Sequence, residues 1–119
     1  MNKTILVIDD DNVLRTALAR GLRNEGFNVI TADCADQAGE IISRISVDAL
    51  VLDRMMTGTD GLSFLKSIRA NGNTTPVLML TAMAGPENTI DGLSGGANDY
   101  LAKPFQMREL ILRLNNIIK

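Results

Sequence analysis

The chain has no histidine and no tryptophan, and only one cysteine, one tyrosine and three prolines in 119 residues. Without histidine, Ser-His-Asp and Cys-His catalysis, most zinc sites and a phosphohistidine role for this chain are excluded. The lone Cys34 forms no internal disulfide, which fits a reducing compartment, and with no imidazole to activate it the expectation is a half-buried small residue. No apolar run reaches the roughly 18 residues that a spanning helix needs. The opening MNKTILVIDDD lacks a small-residue cleavage site. The expectation is therefore a soluble, cytoplasmic chain with no membrane partner. Aromatic content is 3%, net charge is -2, and Lys and Arg form no cluster, so no nucleic-acid surface is expected on the chain itself. Carboxylate, lysine and threonine chemistry remains.

What is present is a strict alternation of apolar runs and helical stripes. TILVI (4–8) is a continuous apolar run ending in Asp9, Asp10 and Asp11, as expected of a strand buried on both faces. Asp10 or Asp11 can cap the helix that follows, in which Leu14, Ala17, Leu18, Gly21 and Leu22 recur at helical spacing until Gly26. The unit then repeats with FNVITA (27–32), a helix over 35–45 with Ala38, Ile41, Ile42 and Ile45 inward, and DALVLD (48–53). A helix over about 62–69, a strand PVLML (76–80) ending at Thr81, and a short fourth helix around Ile90 and Leu93 come next. The last strand, near 98–102, runs into Lys103-Pro104, and Met107, Leu110, Ile111, Leu114, Ile117 and Ile118 stripe a closing helix. Five strands alternating with five helices predict one α/β domain over 1–119, a doubly wound parallel sheet with helices on both faces.

In such sheets, ligands bind at the carboxyl ends of the strands. There stand Asp9 and Asp10 after the first strand, Asp53 after the third, Thr81 after the fourth and Lys103 after the fifth. Carboxylates brought within about 4 Å repel by several kcal/mol at an effective dielectric near 20, so the trio demands a counter-charge. A hard divalent cation such as Mg²⁺ suits oxygen donors, and Lys103 adds a second positive point. Between these charges, Asp53 is the expected nucleophile toward phosphorus and Thr81 a hydrogen-bond donor to a phosphoryl oxygen. Taken singly, each residue has an ordinary role: the aspartates as caps or turn residues, Thr81 in packing, Lys103 in solvent. Their joint position at four strand ends favours chemistry over coincidence.

Two enzyme or cofactor classes share this architecture and fit less well. A phosphatase-like hydrolase with an aspartyl nucleophile typically carries Asp-x-Asp, whereas Asp53 is followed two positions on by Met55. A flavin module is disfavoured by acidic strand ends and few aromatics, and no Gly-x-x-x-x-Gly-Lys-Ser/Thr sequence supports a P-loop.

From end to end the chain resembles the receiver domain of two-component response regulators, through ILVIDDD, LVLDRMMTGTDG, VLMLTA and GANDYLAKPF. The resemblance implies the flavodoxin-like, CheY-like strand order 2-1-3-4-5 and Mg²⁺ held by Asp10, Asp53 and the Met55 carbonyl, with Asp9 acting through water. It also implies a cis peptide at Lys103-Pro104 and a switch pair of Thr81 and Tyr100. Asp53 would be phosphorylated by a sensor histidine kinase, the chain serving as a phosphoacceptor and not as an enzyme. The DYLAKPF and MREL stretches look most like receivers whose effector is a winged-helix DNA-binding domain of the OmpR/PhoB-like kind. DNA would then be contacted only through an effector absent from these 119 residues. A stand-alone receiver or an unphosphorylated interaction module is the alternative. A homodimer through the fourth helix, fifth strand and closing helix is a further implication. Departures from the family pattern bear on it: Asn98 replaces an aspartate and Gly85 a lysine, leaving Glu109 and Arg113 as the available charges of that face, while Thr57 replaces a proline. Met55 and Met83, two residues beyond Asp53 and Thr81, point to slow self-dephosphorylation.

Overall fold

The structure, a computed structural model, describes residues 2–56, 58–82 and 96–118. The apolar runs form strands β1 (Thr4–Ile8), β2 (Asn28–Ala32), β3 (Ala49–Asp53), β4 (Val77–Thr81) and β5 (Asp99–Ala102). The helices among the described residues are α1 (Asn12–Asn24), α2 (Ala35–Arg44), α3 (Gly61–Ala70) and the closing α4 (Met107–Ile117). The helix expected around Ile90 and Leu93 lies outside the described residues, as do Thr57, Met83 and Gly85. All pairings are parallel and the order is β2-β1-β3-β4-β5, as the resemblance implies.

Period-2 alternation sends each strand's side chains into two separate cores. Leu6, Ile8, Leu50, Leu52, Val77, Met79 and Tyr100 pack with Ala35 and Ala38 of α2 and Leu62, Phe64, Leu65 and Ile68 of α3. Ile5, Val7, Ala49, Val51, Leu78, Leu80 and Leu101 pack with Leu18 and Leu22 of α1 and Leu110 and Leu114 of α4. Two expected stripe positions differ. Ala17 is exposed and Ala19 is buried instead, because both flank Leu18 by about 100° on a helical wheel and only the position of the sheet chooses between them. Ile45 is 47% exposed, because the chain leaves α2 at Arg44 and Ile45 is already extended.

Short polar residues in the loops after the strands start the helices. Asp11 accepts from the backbone N–H groups of Val13 at 3.0 Å and Leu14 at 3.2 Å, and Asp60 accepts from Leu62 N–H at 3.3 Å. Cys34 caps α2, its Sγ accepting from Gln37 N–H at 3.5 Å while Gln37 Oε1 accepts from Asp33 N–H at 2.8 Å. The chain leaving β3 folds back onto it: Gly61 N–H donates to the Arg54 carbonyl at 2.7 Å. A Cβ at Gly61 would overlap the Asp53 carbonyl oxygen and lie 2.9 Å from Arg54 Cα, so only glycine fits this approach.

Substituting Gly61→Ala is therefore expected to lower unfolding stability by about 2 kcal/mol or more, since backbone has to move to relieve the overlap. Gly39→Ala, within α2 and 4.0 Å from its nearest neighbour Phe64, is expected to raise it by about 0.5–1 kcal/mol. Urea denaturation of both variants checks the contrast, and equal effects would refute the assignment of Gly61 as a packing constraint.

Candidate functional site

Parallel register assembles the site. Ile8 pairs with Leu52, which sets Asp9 beside Asp53 one residue on, and Asp53 pairs with Leu80. Thr81 pairs with Ala102, and Lys103 N–H continues that ladder by donating to Thr81 O at 2.7 Å. Because the chain crosses to β2 on one side of β1 and to β3 on the other, the β1–β3 edge is also where strand order reverses. There the carboxylate oxygens of Asp9, Asp10 and Asp53 lie within 4.8 Å of one another. Lys103 Nζ is 3.2 Å from Asp53 Oδ2, and Met55 N–H donates to Asp53 Oδ1 at 3.2 Å. Asp9 and Asp53 are only 1% and 4% exposed and Thr81 is fully buried, whereas Asp10 is exposed. The groove of about 530 Å³ between α2 and α3 shares no lining residue with this cluster.

At 4.8 Å and an effective dielectric near 20, each pair of ionised carboxylates costs about 3–4 kcal/mol. Lys103 cannot offset three such charges. Asp9 bears the strain: burial, reinforced by the Asp53 charge, pushes its carboxyl from 3.8 up to about 6, while the Asp11 N–H at 2.9 Å and the Lys103 charge pull the other way. A hydrogen bond between the Asp9 and Asp53 carboxyls requires a proton on one of them. With both ionised, the buried Asp9 Oδ2 finds no hydrogen-bond donor among the described residues.

These features fit a hard divalent cation. Three carboxylates and one ammonium leave two negative charges to neutralise, all the donors are oxygens, and one buried oxygen is left unpartnered.

A family profile described as the response regulator receiver domain matches residues 5–115. The chain belongs to this family. It is 40% identical over 115 residues to the response regulator MprA of Mycobacterium leprae, an alignment covering 97% of this chain and 50% of that protein. The chain thus spans about half the length of the curated relatives it matches. Its fold superimposes on the receiver domain of the Francisella response regulator 1452 with a TM-score of 0.94 and 37% identity, covering 98% of this chain and 96% of the other. A response regulator from Burkholderia pseudomallei, described with a phosphorylated aspartic acid, a calcium ion and citrate, gives a TM-score of 0.86 at 29% identity over 95% of this chain and 66% of its own.

Within this receiver domain, Asp9, Asp10, Asp53, Thr81 and Lys103 all occupy the strand ends where their spacing placed them. Met55 lies in the loop over Asp53 with its side chain 58% exposed, and Lys103-Pro104 is cis. Tyr100 lies apart from the cluster, 8% exposed on the α2–α3 side of the sheet. Arg113 binds Glu109 at 3.2 Å and Asp99 at 3.1 Å within the chain, and the Glu109 and Arg113 side chains remain partly exposed. Sequence reading overlooked Arg54, which is 8% exposed and donates from Nη1 to the Tyr100 hydroxyl at 3.3 Å. Its signal was there, since a residue following Asp53 at a buried strand end continues the inward alternation.

In the unfolded chain Asp9 ionises near 3.8, so between 3.8 and about 6 the folded protein keeps a proton that the unfolded chain has lost. Stability conferred by that proton falls as pH rises through this window. Asp9→Asn is accordingly expected to stabilise the protein at pH 7.5 in chelator by about 1–3 kcal/mol, with the gain vanishing toward pH 4. Urea melts at both pH values test this; a gain that grows on acidification would contradict it.

Proposed function

We propose that this receiver domain takes a phosphoryl group onto Asp53 in a Mg²⁺-dependent step and changes its output face in response. The observation that carries the reading is the 3.2 Å contact of Lys103 Nζ with Asp53 Oδ2 inside a trio of carboxylates. A carboxylate oxygen of Asp53 attacks phosphorus, an O–P bond forms, and the bond from phosphorus to the donor atom breaks, its electron pair leaving with the donor. Having no histidine of its own, the chain takes the group from outside, and a sensor histidine kinase is the proposed donor. Asp10, Asp53 and the Met55 carbonyl would hold the cation, with Asp9 acting through water. Mg²⁺, when bound, supplies positive charge to the phosphoryl oxygens and to the carboxylates. Lys103 follows the developing charge from Asp53 to a phosphoryl oxygen, and the Thr81 hydroxyl donates to another. Thr81 and Tyr100 form the switch, carrying the change toward β5.

The domain is read as a phosphoacceptor spanning 1–119, acting in the cytoplasm and not as an enzyme, with slow self-dephosphorylation. No described helix is long and apolar enough to cross a membrane. The greater length of the relatives supports an effector beyond this domain, proposed to be a DNA-binding transcription regulator. The phosphorylated aspartate and cation named for the Burkholderia structure support the same chemistry here. A homodimer would use the helix expected around Ile90 and Leu93, β5 and α4.

Incubation with acetyl phosphate and Mg²⁺ is expected to add one phosphoryl group by intact mass, to add none in chelator, and to add none to Asp53→Asn. An adduct that persists in Asp53→Asn would overturn the assignment.

A further inference from the structure

The buried polar side chains among the described residues are Asp9, Asp53, Thr81 and Arg54, and Arg54 is the one that the strand-end cluster does not use. A buried guanidinium is costly unless its donors are engaged. Arg54 extends the β3 ladder, its N–H donating to Leu80 O at 2.8 Å, and its carbonyl accepts from Gly61 N–H at 2.7 Å. Its backbone is thus pinned on both sides. Consecutive residues at a strand end send their side chains to opposite faces, so Asp53 turns to the cluster and Arg54 to the α2–α3 face. Tyr100 lies on that face, on β5, with β4 between. Two strand spacings are roughly 10 Å, a span that a long side chain at Arg54 and a phenol at Tyr100 can close between them. They meet at 3.3 Å, Arg54 Nη1 donating to the Tyr100 hydroxyl, and both residues are 8% exposed.

We infer that Arg54 is a positioning residue for Tyr100: held one residue from Asp53, its guanidinium keeps the phenol inward before any phosphoryl group arrives and ties the phosphoacceptor strand to β5. This link runs alongside the one through Thr81. An outward movement of Tyr100 breaks a buried charge-assisted hydrogen bond, so the inward position is favoured in the resting protein and phosphorylation adds to an existing bias. The role in switching rests on the reading of Asp53 as phosphoacceptor, whereas the resting bias does not.

Tyr100 is the only tyrosine and there is no tryptophan, so tyrosine fluorescence reports this residue alone. Acrylamide quenching is to be compared in the parent, Arg54→Met and Arg54→Lys, first in chelator and then after acetyl phosphate and Mg²⁺. In chelator the quenching constant of Arg54→Met is expected to rise about twofold or more, because one donor is lost at nearly constant volume. Arg54→Lys, which keeps a cationic donor, is expected to retain most of the parent's protection, and phosphorylation is expected to restore protection to Arg54→Met. Unchanged quenching in Arg54→Met, or equal exposure in the Met and Lys variants, would overturn the inference. Should Arg54→Met fail to fold by far-UV circular dichroism, Arg54→Gln, too short to span β4, takes its place with the same expected rise. Intact mass of the same samples reports the Asp53 adduct separately. Its absence from the parent would count against the phosphoacceptor reading, while the comparison in chelator still decides what Arg54 does.

Discussion

Repulsion between Asp9 and Asp53 is the constraint on which the rest of the site depends. Parallel pairing of β1 with β3 sets the two side by side, both buried, and Asp10 adds a third carboxylate within 4.8 Å. Water screens the two buried charges only weakly, and one lysine does not cancel the three. Burial, with the Asp53 charge added to it, raises the Asp9 carboxyl to about 6, so it takes up a proton more readily than an ordinary aspartate. Unbalanced negative charge of this kind costs folding stability, and the oxygen donors that create it are of the type that suits a hard divalent cation.

Around this unstable centre the backbone is held firmly. Asp53 ends a strand buried along its whole length, Lys103 N–H is tied to Thr81, and the loop after β3 is closed by Gly61 against Arg54. At one remove from this centre lie the side chains of the α2–α3 face and of β5, and Tyr100 belongs to both.

Much of this was legible in the sequence because it depends on local pattern. Continuous apolar runs of about five residues marked β1, β3 and β4, the mixed FNVITA and the short stretch before Lys103-Pro104 marked β2 and β5, and Leu14, Leu18 and Leu22 marked the buried side of α1. One error arises where two residues are equally compatible with the local period, as Ala17 and Ala19 are, and the neighbour across the interface decides. Ile45 fits a helical stripe by spacing, but the helix ends one residue earlier. Cys34 carries no sequence mark of a cap, and takes that role because Asp33 and Gln37 complete the turn around it.

The sequence by itself determined the inventory and order of elements, the alternation that builds two cores, and the acidic, hydroxyl and ammonium groups that end four strands, because these follow from periodicity and from short polar residues at strand ends. Only the tertiary structure decided the 3.2 Å contact of Lys103 with Asp53, the unpartnered Asp9 oxygen and the bond from Arg54 to Tyr100. Each depends on how the ends of different strands are brought together. Their distances are set by the register and twist of a whole sheet, and no window along the chain contains that information.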